Sequence, residues 1–226
     1  MECIVLAGGL GTRLSSELGD LPKCMAPVNG QPFLAYVLNY LETQFVDHVI
    51  LSLGYRHEAV TDWINTKGFT FKLHRVIEQE PLGTGGGIKL ALNKSIKKEV
   101  FILNGDTLFD IDLRKMKTHL TAETKAVLAL KPMKNFDRYG RVQMDENNNI
   151  LSFEEKKPCD AGLINGGIYL LNKSLENFKS FPAKFSIEKD FLEKEVQAKT
   201  LKGFESDGYF IDIGIPEDYH RAQKEL

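Results

Sequence analysis

Apolar positions fall into short continuous runs separated by stretches with helical spacing. The first run, Cys3 to Ala7, ends at Gly8-Gly9 and predicts a buried strand. A polar loop punctuated by glycine and proline follows to Gly30. From Pro32 to Leu41 the apolar residues Phe33, Leu34, Val37, Leu38 and Leu41 share one helical face, and Pro32 suits a helix start. Val46 to Leu53 predicts a second strand, His57 to Asn65 a helix closed by Lys67-Gly68, and Phe69 to Val76 a third strand. Gly83 to Asn93 opens with glycines and continues as a helix, and Glu99 to Leu103 is a strand ending at Asn104-Gly105-Asp106. Strands apolar throughout, alternating with helices, predict an α/β fold with a mostly parallel sheet flanked by helices. Right-handed crossovers then gather the carboxyl ends of the strands on one edge.

The second half is more mixed. Ala126 to Leu130 and Ile164 to Leu171 read as strands. Arg141 to Met144 and Ile150 to Phe153 flank a polar turn, Asp145 to Asn149, and predict a hairpin. Ser186 is placed to cap a helix over Ile187 to Val196, and Pro216 to Leu226 predicts a short terminal helix. The expectation is one domain over 1–226, a Rossmann-like core with a small added lobe.

Composition narrows the class. The 226 residues carry 29 Lys plus Arg against 31 Asp plus Glu, a formal charge of -2. That balance argues against non-specific nucleic-acid binding. No run of about 18 apolar residues is present, so no membrane span is expected. The first residues lack the charge and long apolar stretch of a signal peptide. Three widely spaced cysteines (Cys3, Cys24, Cys159) suggest neither a disulfide framework nor a metal cluster. The expected location is the cytoplasm. Self-association stays open.

Candidate chemistry begins where the first strand ends. Gly8-Gly9-Leu10-Gly11-Thr12-Arg13-Leu14 combines glycines that let a backbone approach phosphate oxygens with a permanently charged guanidinium. The spacing matches neither the dinucleotide fingerprint nor the Walker A loop. With Leu21-Pro22-Lys23 downstream, it resembles the signature of the sugar-1-phosphate nucleotidyltransferases. The resemblance extends over nearly the whole chain, through Glu80 to Gly86, Leu103 to Asp106, Tyr139 to Val142, Phe153 to Lys156, Asn165 to Tyr169 and Phe210 to Pro216. Leu21 to Val28, Phe185 to Asp190 and Gly208 to Tyr219 are similar to the branch that guanylylates a heptose 1-phosphate. Mannose 1-phosphate with GTP, an amino-sugar 1-phosphate with UTP, and a non-catalytic nucleotide sensor are the alternatives. No C-terminal β-helix of the kind found in long members follows, so feedback through such a domain is not expected.

The resemblance implies roles residue by residue. Arg13 and Lys23 would neutralise the α,β-phosphoryl region and the departing pyrophosphate, and Asp106 and Asp212 would hold Mg²⁺. Leu6, Gly8, Gly9, Gly11 and Thr12 would contact the nucleotide, as would Glu78, Gly83 and Thr84. Gly83-Thr84-Gly85 would let a flat base lie against the backbone. Gly140, Glu155, Lys156 and Asn165 would face the sugar phosphate, with Lys156 on the phosphate and Lys157 as its adjacent alternative. Residues 1–110 would serve mainly the nucleotide and 111–226 mainly the sugar. The acceptor-only edge of Glu78 matches the two adjacent donors of guanine and favours GTP. The substrates expected are therefore GTP and a sugar 1-phosphate. Most of the five histidines are expected on the surface or in helices.

Overall fold

The computed structural model describes residues 1–9, 11, 14–174 and 178–226. Its first half runs β1 (Glu2–Ala7), α1 (Ser15–Leu18), β2 (Pro27–Val28), β3 (Gln31–Pro32), α2 (Phe33–Thr43), β4 (His48–Leu53), α3 (His57–Asn65), β5 (Lys72–Ile77), α4 (Gly83–Leu92) and β6 (Glu99–Asn104). The second half runs β7 (Thr107–Phe109), α5 (Leu113–Lys117), β8 (Ala126–Phe136), β9 (Arg141–Met144), β10 (Ile150–Phe153), β11 (Cys159–Asn172), α6 (Glu193–Glu195), β12 (Leu201–Glu205), β13 (Phe210–Asp212) and α7 (Pro216–Glu225).

A nine-stranded sheet is ordered β10-β9-β11-β6-β1-β4-β5, with β8 paired to β11 and β12 paired to β8. Strands β6, β1, β4 and β5 are mutually parallel, and β11 joins β6 antiparallel. This is the helix-flanked α/β architecture expected, and the sheet is mixed: parallel through β6, β1, β4 and β5, antiparallel through β8, β11, β9 and β10. Register explains the unbroken apolar runs. Ile4 stands between Ile50 and Ile102, and Val5 between Leu51 and Leu103, all buried. Successive residues face opposite sides, so each side needs its own cover. One side packs on α2 and α7 through Phe33, Leu38 and Tyr219. The other packs on α4 and the 187–192 segment through Ile88, Ile187 and Phe191. Each such buried side chain contributes on the order of 1.5–3 kcal/mol of transfer free energy.

The second half departs from the periodicity reading. Strand β8 continues to Phe136 because Lys131 to Phe136 pair with β11 beyond Ile164, although Lys131, Pro132, Lys134 and Asn135 interrupt the apolar pattern. Strand β12 has no counterpart among the expected elements. It exists because β8 offers it a parallel edge. The helix expected over Ile187 to Val196 is π-helical from Ile187 to Leu192, and Ser186 does cap it, accepting from the Lys189 amide at 3.2 Å. The thiols of Cys3, Cys24 and Cys159 are unpaired. Among the described residues no helix is long and apolar enough to cross a membrane.

His48 is not a surface residue. On β4 its Nδ1 meets the buried Glu2 carboxylate at 2.7 Å and its Nε2 meets His74 at 2.8 Å. Glu2 also accepts from Ser95, from the Ile96 amide at 3.0 Å and from the Lys97 amide at 3.3 Å. Burial alone would raise the Glu2 pKa, but these donors outweigh it and hold the carboxyl below its ordinary value. A depressed carboxylate contributes stability that is full above the ordinary pKa and is lost as pH falls through the lowered one. Urea midpoints of the wild type should therefore fall on acidification below about pH 4.5. Glu2→Gln should lower stability at pH 7 by about 1.5–3 kcal/mol. Equal acid sensitivity of Glu2→Gln and wild type would count against this assignment.

Candidate active site

Two segments end at the same edge of the sheet and turn there. After β6, Gly105 donates its amide to the Leu6 carbonyl at 2.8 Å, and a Cβ on Gly105 would stand 2.8 Å from that oxygen. Glycine is required for so close an approach. The chain then enters β7, which pairs antiparallel with β13 in the register Asp212↔Thr107. The Ile213 amide donates to the Asp106 carbonyl at 3.0 Å. This short ribbon brings Asp106 and Asp212 to one place.

Lys23 enters from the other side, in the short helical turn Lys23–Met25. Its Nζ lies 2.6 Å from Asp106 Oδ2 and 3.5 Å from Asp212 Oδ1. Burial and then the Asp106 charge push the Asp212 pKa up, while Lys23, Arg138 and the Gly214 amide oppose the rise. Two carboxylates share one ammonium. Its slot is narrow: a Cβ on Gly11 would meet Lys23 Cβ at 3.0 Å, and one on Gly214 would meet Asp212 Oδ1 at 2.9 Å. Cys24, next to Lys23, is buried, and burial followed by the Asp106 charge pushes its thiol up to about 12. It is no nucleophile at neutral pH.

Two cavities meet at this trio. The first, about 330 Å³, is lined by Leu6, Gly8, Gly9, Lys23, Glu78, Gly83, Thr84 and Asp106. The second, about 500 Å³, holds Gly140, Glu155, Lys156, Asn165 and Asp212. Gly11 abuts Lys23. Thr12 and Arg13 lie outside the described residues. Lys156 lines the second cavity, whereas Lys157 pairs with Glu154 at 3.1 Å.

Local folding sets the other side chains. Glu78 accepts from Ser52 at 3.3 Å on Oε1 and from the Leu82 amide at 3.1 Å on Oε2. A carboxylate has about four acceptor sites, so two remain for a ligand. The glycines opening α4 differ in use. Gly83 lines the first cavity, but a Cβ on Gly85 would stand 2.3 Å from the Phe185 ring, and the Gly85 amide donates to the Phe185 carbonyl at 3.0 Å. Gly85 thus serves packing against the 185–192 segment, not the approach of a base. Asn165 spends its amide locally, donating to the Tyr169 hydroxyl at 2.9 Å and accepting from the Gly167 amide at 3.0 Å.

Arg138 and Tyr139 were missed by sequence reasoning, although Tyr139 stands beside Gly140 in a recognised motif. Arg138 pairs with Asp218 at 2.6 Å and donates to the Tyr139 hydroxyl at 2.7 Å. A guanidinium only donates, so the Tyr139 proton is directed to Asp212 Oδ2, 3.3 Å away. Burial and then the Asp212 charge raise the Tyr139 pKa and keep that proton on the phenol.

Among the described residues no group of three or more His, Cys, Asp or Glu side chains could hold a metal. Asp106 and Asp212 nevertheless fit a hard divalent cation that takes its remaining ligands from phosphate and water. They are oxygen donors, they already face a cation, and the two carboxylates share that single ammonium.

A model of the nucleotidyl transferase family matches residues 2–226. The chain is 51% identical over 227 residues to D-glycero-alpha-D-manno-heptose 1-phosphate guanylyltransferase of Aneurinibacillus thermoaerophilus, covering 100% of this chain and 98% of that one. It is 48% identical to the enzyme of the same name from Campylobacter jejuni, covering 97% of each chain. The crystal structure of HddC from Yersinia pseudotuberculosis complexed with GMP-PN superposes with a TM-score of 0.87 at 38% identity, over 99% of this chain and 98% of that one. Matches that run the length of the chain make this protein a member of the sugar-1-phosphate nucleotidyltransferase family.

Proposed function

We propose that the protein transfers GMP from GTP to D-glycero-α-D-manno-heptose 1-phosphate, giving GDP-heptose and pyrophosphate. The observation that carries this reading is the near-full-length identity of 51% and 48% to two heptose 1-phosphate guanylyltransferases. The first cavity takes the nucleotide and the second takes the sugar phosphate, which assigns the two pockets mainly to 1–110 and 111–226. The acceptor phosphate oxygen attacks the α-phosphorus in line, and pyrophosphate leaves on the opposite side. No side chain needs to become covalently attached. Lys23, and Arg13 by family resemblance, offset the charge that builds on the phosphoryl oxygens. Asp106 and Asp212 would hold Mg²⁺, which when bound neutralises triphosphate charge. Lys156 holds the acceptor phosphate and Glu155 accepts from sugar hydroxyls. Three unpaired cysteines suit a reducing cytoplasm.

A pyrophosphate-release assay crossing four nucleoside triphosphates with a panel of sugar 1-phosphates tests the assignment. GTP with heptose 1-phosphate should be fastest. Faster turnover of UTP than GTP across the panel would overturn the guanylyl reading.

Two smaller effects belong to the same assay. Lys156→Ala should raise the KM for sugar phosphate about tenfold to a hundredfold, as expected for one lost charge-assisted contact. It should leave the KM for GTP nearly unchanged. If Lys157→Ala moved that KM instead, the contact would lie one residue later. Glu78→Gln should narrow the preference for GTP over UTP without altering sugar preference. Undiminished discrimination would assign base reading to backbone groups and leave Glu78 its bonds to Ser52 and Leu82.

A further inference from the structure

Glu188 stands in the wall between the two cavities. Its Oε2 accepts from the Thr84 and Ser186 hydroxyls, each at 2.7 Å, and its Oε1 lies 3.4 Å from the Tyr169 hydroxyl. Thr84 lines the nucleotide cavity, whereas Ser186, Tyr169 and Glu188 itself line the sugar-side cavity.

Chemistry sets the direction of all three bonds. The Thr84 hydroxyl accepts from the Ile187 amide at 3.0 Å, and the Ser186 hydroxyl from the Lys189 amide at 3.2 Å. The Tyr169 hydroxyl accepts from Asn165 Nδ2 at 2.9 Å, an orientation fixed because Asn165 Oδ1 accepts the Gly167 amide at 3.0 Å. In each case an N–H occupies the hydroxyl oxygen and leaves its proton for the carboxylate. Burial, and then the Glu188 charge, raise the Tyr169 pKa and keep that third proton in place. Oε2 has both acceptor sites used. Oε1 has one long bond and one site left on the sugar side. An acceptor-only oxygen held this firmly recognises donors, and a sugar presents hydroxyl donors.

We propose that Glu188 is a specificity-determining residue for the acceptor: Oε1 accepts a hydroxyl of the sugar, while Oε2 anchors the carboxylate to the nucleotide-side wall through Thr84. The inference rests on the guanylyltransferase reading above. A site built to bond a hydroxyl discriminates strongly against an analogue that lacks it, because the carboxylate is then left short of a partner.

The test measures KM for GTP and for heptose 1-phosphate in wild type and Glu188→Gln, together with calorimetric binding of heptose 1-phosphate and its mono-deoxy analogues. Glu188→Gln should raise the KM and the Kd for the sugar phosphate at least about tenfold. The KM for GTP should stay within about threefold, well under the change for one lost charge-assisted bond. In wild type one mono-deoxy analogue should bind at least about tenfold more weakly, and Glu188→Gln should erase that difference. An unchanged sugar-phosphate Kd, or equal rises in both KM values, would overturn the proposal. Should Glu188→Gln fail to fold, Glu188→Asp decides, because the shorter side chain draws the carboxylate oxygen away from the sugar: the affected mono-deoxy analogue should lose its disadvantage, and an unchanged sugar-phosphate Kd with unchanged discrimination among the analogues refutes the proposal. Absence of pyrophosphate release from GTP by wild type with any sugar phosphate would instead refute the guanylyltransferase reading, which the binding data do not depend on.

Discussion

Asp212→Asn should reduce turnover by about a hundredfold or more while the fold is kept. Asparagine preserves the shape and still accepts the Tyr139 hydroxyl bond, so the 107–109 and 210–212 ribbon has no reason to open. What disappears is charge. Two carboxylates that now face Lys23 become one, and half of the anionic oxygen set available to a divalent cation is lost. Asp106→Asn should act in the same direction. Removal of divalent cations by a strong chelator should abolish activity, and Mg²⁺ should restore it. Mg²⁺ titration of activity, with circular dichroism to establish folding, measures the effect. Full turnover by folded Asp212→Asn protein would remove Asp212 from the site.

Lys23→Ala carries the second large effect, a fall in kcat on the order of a hundredfold to a thousandfold, as for loss of one preorganised charge-stabilising donor. Removing the ammonium leaves Asp106 and Asp212 confronting each other without the cation that stands 2.6 and 3.5 Å from them. It also removes a positive charge from the wall of the nucleotide cavity. Lys23→Arg should rescue little of this. The slot between Gly11 and Gly214 is so close that a Cβ on either glycine would crowd Lys23 at 3.0 and 3.3 Å, and a planar guanidinium is wider than an ammonium. Single-turnover kinetics separate the chemical step from binding. A rate for Lys23→Ala within a few-fold of wild type would show that the pairing with the aspartates is structural only.

The candidate site was legible where its chemistry is local. Gly8, Gly9, Lys23 and Asp106 lie in short motifs, each a few residues from a strand end, and all line one cavity. Arg138 and Tyr139 escaped notice because nothing in a tyrosine's neighbours along the chain reveals that its proton is aimed at an aspartate on another strand. Glu188 lies in the first turn after the Ser186 cap, but its bond to Thr84 joins positions 104 residues apart, which no local pattern reveals. Gly85 shows the opposite case: it sits in a motif that predicts nucleotide contact, yet it makes room for Phe185.

By itself the sequence determined the α/β class and the parallel strands of the first half. These follow from hydrophobic period and turn chemistry, which act over a few residues and need no partner to be read. The candidate phosphate residues come from the family resemblance of their motifs, not from periodicity. Tertiary structure alone decided that β8 runs on through polar residues to Phe136, that β12 pairs with it, and that 187–192 winds as a π-helix against α4. It also decided that β13 lies against β7, which is what sets Asp212 beside Asp106 and lets Lys23 reach both. The reason is that edge pairing and buried charge depend on which distant backbone supplies the missing hydrogen bond or counter-charge, and no pattern along the chain encodes that partner.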